Sequence, residues 1–80
     1  MVSVTIKGKE YELTKEQVIN AMAGVTPKAI RAYYIEIKGK EYPIKQVMAV
    51  ALGLLPSSFT SKDAYDLMDK LGFQVDSISK

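Results

Sequence analysis

Cysteine and histidine are both absent from this 80-residue sequence. Without cysteine the chain can form no disulfide and has no thiolate nucleophile. Without histidine it lacks the side chain that ordinarily exchanges a proton near neutral pH, and a zinc site would have to be built from carboxylates alone. We therefore expect a protein that is not an enzyme and that needs neither a metal ion nor a cofactor.

Long apolar runs are missing as well. The longest covers residues 47–55, is broken by Gly53 and ends at Pro56, so it falls short of the roughly 18 residues that cross a membrane. The N-terminus shows no basic region followed by an apolar stretch and a cleavage site, which a signal peptide would have. These features predict an intracellular, cytoplasmic protein that does not associate with a membrane.

The net charge of +2 is modest, but the charges are unevenly distributed. Residues 1–45 contain eight basic and five acidic side chains, whereas residues 46–80 contain three basic and four acidic ones. This asymmetry is compatible with a basic face that binds a polyanion. Taken alone it favours an ordinary soluble surface, because the excess is far below that of a strongly basic binding domain.

One hexapeptide, Ile-Lys-Gly-Lys-Glu-Tyr, occurs twice, at residues 6–11 and 37–42. Apolar and polar residues alternate on both sides of its central glycine, which is Gly8 in the first copy and Gly39 in the second. Glycine between two alternating segments is typical of a β-hairpin, because the tight turn needs positive φ. The sequence therefore predicts two hairpins.

Each predicted hairpin leads into a helix. In the first copy Thr14 and Gln17 have the spacing of a capping box. In the second copy we expect Pro43 at the first helical position, where its missing N–H is not needed. Gly24 and Gly53 follow the apolar periodicity of the two helices, where a residue in the left-handed conformation is expected.

Together these signals predict a duplicated ββα unit. The two copies cover residues 4–24 and 35–53, and we expect them to follow the same backbone trace. Between the copies, Thr26 as an N-cap and Pro27 after it predict a short helical turn. Two copies are fewer than a repeat array requires, so the chain is predicted to be one domain over residues 1–80.

The segment after the second copy predicts one more helix and a strand. Thr60 has the spacing to cap this helix, and Gly72 stands where the helix should end. A short strand through Phe73 and Val75 is expected to join the sheet, and residues 76–80 are expected to fray. The predicted fold is a small α+β domain with the order ββα-ββα, helix, short C-terminal strand.

Three motifs follow one another in the second half of the chain. They are Gly39-Lys40 with Tyr42-Pro43-Ile44-Lys45, then Phe59-Thr60-Ser61, then Leu71-Gly72-Phe73. In this order they resemble the small DNA-binding domains of modification-dependent (type IV) restriction endonucleases, including sulfur-binding domains, over about residues 32–75. The paired glycines of the loop in those domains are replaced here by Ser61-Lys62. The resemblance implies nucleic-acid binding, with double-stranded DNA expected rather than RNA.

The second copy is the better candidate for the contact with nucleic acid. In the first copy, the capping box occupies free N–H groups, and Glu12 and Glu16 would repel a phosphate. In the second copy, Pro43 leaves the helix N-terminus open to an anion, and Lys45 adds positive charge. The predicted nucleic-acid-binding residues are Arg31, Lys40, Tyr42, Lys45, Ser61 and Lys62.

Each of these residues also has a purely structural interpretation. Tyr42 could anchor the strand to the helix from within the core, and the lysines could simply be solvated. A second functional interpretation is a protein–protein adaptor or a small homo-oligomer such as a homodimer, using a hairpin edge or the exposed side of Val50 and Leu54. Salt-dependent affinity for DNA would favour the first interpretation, and association without DNA would favour the second.

Overall fold

Two β-hairpins, each followed by a helix, form the larger part of the computed structural model, which describes residues 2–30 and 32–78. The first hairpin consists of strands β1, Val2–Ile6, and β2, Lys9–Leu13, and leads into helix α1, Lys15–Ala21. The second consists of strands β3, Tyr33–Ile37, and β4, Lys40–Pro43, and leads into helix α2, Ile44–Leu52.

Both hairpins turn through two residues, a lysine followed by a glycine. These residues are Lys7-Gly8 and Lys38-Gly39, and in each pair φ is 51° at the lysine and 81° at the glycine. Positive φ at both central residues is the signature of a type I′ turn, which matches the twist of the flanking strands. The two hairpins are therefore present where they were predicted, while the equivalence of the complete ββα traces stays a prediction.

The C-terminal part adds a helix and completes the second sheet. Helix α3 spans Ser61–Leu71 after a short 3-10 turn at Pro56–Ser58, and strand β5 is Asp76–Ser77. Strand β5 pairs with β3, so one sheet has the order β4-β3-β5, and β1 and β2 form a separate two-stranded sheet. The fold is α+β, with the element order that the sequence predicted.

The last strand lies further along the chain than expected. It was predicted through Phe73 and Val75, but the Phe73 N–H donates to the Met68 carbonyl at 3.1 Å as part of the end of α3. Residues 76 and 77, which were expected to fray, pair with β3, and the Ile78 N–H donates to the Ala32 carbonyl at 2.9 Å. The remainder of the segment expected to fray, residues 79 and 80, lies outside the described residues.

The segment between the two hairpin–helix units corrects another prediction. No helical turn forms at Thr26, because residues 25–30 have no regular secondary structure. Instead, the side-chain amide of Gln46 bonds to this segment from α2, donating from Nε2 to the Thr26 carbonyl and accepting from the Lys28 N–H at Oε1, both at 2.9 Å. These bonds satisfy the backbone as a neighbouring strand would, so no helical hydrogen bonds are needed.

Helix α2 occupies the centre of the molecule. It contacts α1, α3, β3 and β4, and Val47 and Met48 on it are fully buried. The largest fully buried side chains of the other elements surround it and belong to Met22, Ile35, Leu67, Met68 and Val18. Within residues 2–30 and 32–78, no helix has the length and apolar character to span a membrane.

The helix ends largely follow the sequence signals. Thr14 and Gln17 form a capping box at α1, with the Gln17 N–H donating to Thr14 Oγ1 at 3.1 Å, and Thr60 forms another at α3. Pro43 differs slightly from expectation, because it is the last residue of β4 and the N-cap of α2 rather than its first helical residue. Gly72 ends α3 with φ at 94°.

Replacing Gly72 with valine should destabilise the domain by about 1 kcal/mol or more, since a β-branched residue is strained at this φ. A Cβ added at Gly72 would meet no atom within 4 Å, so the cost comes from the backbone alone. Urea denaturation measures the effect, with Gln74→Val as an exposed control two residues away. Equal midpoints for the wild type and Gly72→Val would contradict the prediction.

Replacing Gln46 with leucine keeps the apolar stem but removes both hydrogen bonds to residues 26–28. We expect a loss of about 1–2 kcal/mol in the free energy of unfolding, together with faster hydrogen exchange at the Lys28 amide. Gln74→Leu serves as the control, because Gln74 is exposed and makes no bond to this segment. Unchanged exchange at Lys28 would show that the amide does not hold the segment.

Candidate nucleic-acid interface

A groove of about 430 Å³ opens beside the start of α2. Its walls come from residues 28, 29, 32 and 33, from one side of α2 and from the segment that follows α2. Most of its lining residues are apolar: Ala29, Ala32, Tyr33, Pro43, Ile44, Ala49, Val50, Leu54 and Pro56. The polar residues at the groove are Lys28, Lys45, Gln46 and Ser61, so none of the described residues that line it is acidic.

Two lysines lie at the groove, and the fold positions each of them differently. Lys28 is held beside α2 because its backbone N–H donates to the Gln46 side chain. Lys45 is half-buried in the first turn of α2, and its Nζ lies 5.7 Å from the centre of the Phe59 ring. Phe59 is buried, so this cation–π contact gives the Lys45 ammonium a fixed support at the edge of the groove.

The start of α2 differs electrostatically from the starts of α1 and α3. Pro43 makes no side-chain hydrogen bond to the first turn of α2, and this turn contains no acidic residue. The other two α-helices of the described chain each carry a capping box, and they have Glu16 and Asp63 in their first turns. Among these three α-helices, α2 is therefore the one whose positive dipole end has no side-chain cap and no carboxylate in the first turn.

The groove unites only part of the predicted nucleic-acid-binding set. Lys45 and Ser61 line it. Lys40 is exposed next to the hairpin turn, outside the groove lining. Lys62 is exposed and pairs with Asp66 at 3.2 Å, which partly offsets its charge. Arg31 lies outside the described residues.

Tyr42 requires a correction. It is only 2% exposed, and its hydroxyl donates to the Val25 carbonyl at 3.0 Å, with the Met22 carbonyl at 3.4 Å. The ring is packed in the core opposite Ile35 on the neighbouring strand, so it offers no flat surface to a sugar or base. Tyr42 therefore has the structural role that was given as its alternative, in which it anchors the strand from within the core.

Another tyrosine lines the groove, and a second one packs against it from outside the lining. Tyr33 lines the groove, and Tyr65 on α3 packs against it with ring centroids 5.1 Å apart and ring planes at 78°. The two residues are 39% and 38% exposed. Tyr33 is the first residue of β3 and is exposed, although Ile35 and Ile37, two and four positions further along the strand, are buried. Tyr65 lies one helical turn after Ser61, and that spacing could have placed it beside the groove.

Two of the exposed large apolar side chains of the described chain line this groove, and the other three belong to residues connected to its lining. Tyr33 and Val50 line it, Tyr65 contacts Tyr33, and Leu55 follows directly on a lining residue. Ile78 is bonded through its backbone to Ala32, which also lines the groove. The exposed side of Val50 and Leu54, which the adaptor interpretation named, is thus part of the groove wall.

Three carboxylates of the three-stranded sheet lie outside the groove lining. Glu36 on β3 lies directly across from Glu41 on β4, and Asp76 pairs with Tyr34 on the other side. Partial burial and, after it, the carboxylates of Glu41, Asp76 and Glu36 raise the pKa of Tyr34 above its ordinary value. These carboxylates disfavour an anion at their own position, whereas the described lining of the groove contains none.

The sequence matches one known protein family. A family model matches residues 2–80, which is nearly the whole chain. The chain belongs to the SCO5918-like family. No curated protein and no solved structure matches the sequence. Membership in the SCO5918-like family gives no link to restriction-enzyme domains, so that resemblance stays a prediction.

Within the described residues, no group of three or more His, Cys, Asp or Glu side chains could hold a metal ion.

The opposed carboxylates of Glu36 and Glu41 should lower the stability of the second sheet. We expect Glu41→Lys to stabilise the domain by about 0.2–1 kcal/mol, because it turns a like-charge cross-strand pair into an attractive one. The gain should shrink as salt is added. Glu10→Lys is the matched control, since Glu10 faces Thr5 rather than a charge in the first hairpin. Thermal unfolding at low and high salt compares them, and an equal effect of both substitutions would refute the pairing argument.

Proposed function

We propose that this domain binds nucleic acid at the groove beside the start of α2 and catalyses no reaction there. One observation carries the proposal. Lys28, Lys45 and the uncapped N-terminus of α2 border a groove whose described lining contains no carboxylate. Donors of this kind make most of the hydrogen bonds between proteins and DNA, which go to phosphate and sugar.

The arrangement supports a phosphate contact in particular. The free backbone N–H groups in the first turn of a helix can donate to an anion. The positive end of the helix dipole favours the negative charge of that anion. Lysine supplies a point charge without a fixed geometry, which suits a flexible sugar–phosphate chain. Ser61 adds a hydroxyl donor at the far wall of the groove. DNA remains the first candidate, as the sequence motifs suggested.

The residue inventory supports binding rather than catalysis. The whole sequence lacks cysteine and histidine, which removes the common nucleophile–base pairs. The polar groups at the groove are two lysines, a serine and the Gln46 amide, and the amide oxygen and nitrogen are already engaged with Lys28 and Thr26. No carboxylate or imidazole lies among the described lining residues to serve as a base for the Ser61 hydroxyl.

The double variant Lys28→Gln, Lys45→Gln tests the proposal, because glutamine removes the charge and keeps most of the side-chain stem. We expect weaker DNA binding and a salt slope that is smaller by about one unit for each lost phosphate contact. The measurement is fluorescence anisotropy of labelled DNA at two or more salt concentrations.

Lys9→Gln combined with Lys70→Gln is the matched control, since it removes the same charge and neither lysine lines the groove. If both double variants lose the same DNA affinity, the effect comes from the net charge of the protein and not from the groove. A third variant, Lys40→Gln, measures whether the hairpin turn also contributes. If the wild type binds DNA and none of these lysine substitutions weakens that binding, the proposal is contradicted.

The adaptor interpretation is a second candidate, and it is favoured by the apolar side chains around the groove. Contiguous exposed apolar surface often marks a site of protein association. If the domain forms a homodimer or another small oligomer through this surface, Val50→Ser and Leu55→Ser should weaken the association. Sedimentation at several concentrations without nucleic acid detects it. A monomer at all concentrations would exclude self-association.

A further inference from the structure

We infer that the nucleic acid is single-stranded at this site and that one unstacked base enters the groove and stacks on Tyr33, which Tyr65 supports from outside the groove lining. This inference rests on the proposed function and deepens it. It stands on the aromatic pair, on the apolar walls and on the charges around them, all of which belong to the described residues.

Tyr33, supported by Tyr65, has the features of a stacking platform. Its edge-to-face contact, with centroids 5.1 Å apart, holds both rings in place while about two-fifths of each residue stays exposed. Tyr33 is fixed further because its strand lies between β4 and β5. Aromatic rings that are held in this way stack on nucleotide bases of any sequence, because every base has a π-face.

The groove walls fit an unpaired base better than a duplex. Bases in a duplex are stacked inside the helix and present only their edges and the backbone, so an apolar groove would gain little from them. An extruded or unpaired base exposes both of its faces, and apolar walls such as Val50, Leu54 and Pro56 can cover them. The volume of about 430 Å³ lies within the range of roughly 300–1,000 Å³ for small-ligand sites.

Charge complementarity selects a nucleotide chain over the other possible occupants. Lys28 and Lys45 favour a negative partner next to the apolar one, and the phosphates on either side of a base supply that charge. A second copy of this chain placed symmetrically would bring the same lysines together, which is unfavourable. An acidic peptide with apolar side chains satisfies the charges, but the aromatic pair favours a planar base.

The experiment compares three labelled oligonucleotides of about 12 nucleotides, a length within the site sizes of single-strand binders. They are a single strand, a duplex and an abasic strand that retains the sugar and phosphate. We expect the single strand to bind about tenfold more tightly than either of the others. Tyr33→Ala and Tyr65→Ala should each weaken binding of the single strand by about tenfold and leave binding of the abasic strand unchanged.

Two further variants separate stacking from folding. Tyr33→Phe keeps the ring and should retain binding of the single strand, whereas loss of binding in this variant would overturn the role of the ring. Tyr11→Ala is the matched control, because Lys9 Nζ lies 5.4 Å from the Tyr11 ring in the first hairpin, which forms no part of the groove. Tyr11→Ala should bind the single strand like the wild type.

The outcomes distinguish this inference from the proposed function. If the duplex binds as well as the single strand and Tyr33→Ala has no effect, while the Lys28, Lys45 double variant loses affinity, the inference fails and the proposed function stands. If no oligonucleotide binds and an acidic apolar peptide does, both fail. Tighter binding of the single strand that depends on Tyr33 and Tyr65 supports both.

Discussion

The side-chain amide of Gln46 is the contact on which the candidate site depends. It lies in the first turns of the central helix, is 8% exposed, and bonds to two backbone groups of the segment between the hairpin–helix units. A buried amide is costly unless its polar atoms are paired, so the linker and α2 constrain each other. Through this contact a segment without regular structure becomes a rigid wall of the groove.

Tyr42 reinforces the same junction. Its hydroxyl bonds to carbonyls at the end of the first hairpin–helix unit, while its ring is packed in the core of the second. Residues 22–28 are thus fixed by two side chains that are only four positions apart in the sequence. These side chains join the two units into one body and set Lys28 beside Lys45 at the start of α2.

The sequence could predict features whose causes are local. The turn glycines, the capping threonines and the left-handed residue at Gly72 are each determined by neighbouring residues, and the structure confirms them at Gly8, Gly39, Thr14, Thr60 and Gly72. The failures depend on distant contacts. The linker has no helical turn, and it is bonded instead to a side chain 18 positions away. Tyr42 is buried, and carbonyls 17 and 20 positions away accept its hydrogen bonds. The aromatic pair at the groove likewise joins residues of separate elements.

The two hairpin–helix units share their turns but differ at the start of the helix, and the site forms where they differ. A capping box and a glutamate close the first helix start, whereas a proline and a lysine leave the second one open. The account therefore predicts function on the second unit and scaffold on the first. Nuclear magnetic resonance of the isotope-labelled domain during titration with an oligonucleotide tests this most directly. We predict amide shift changes centred on Lys28, Tyr33, Lys45 and Ser61, with the first hairpin unaffected; changes centred on the first hairpin, or spread evenly over the surface, would contradict the account.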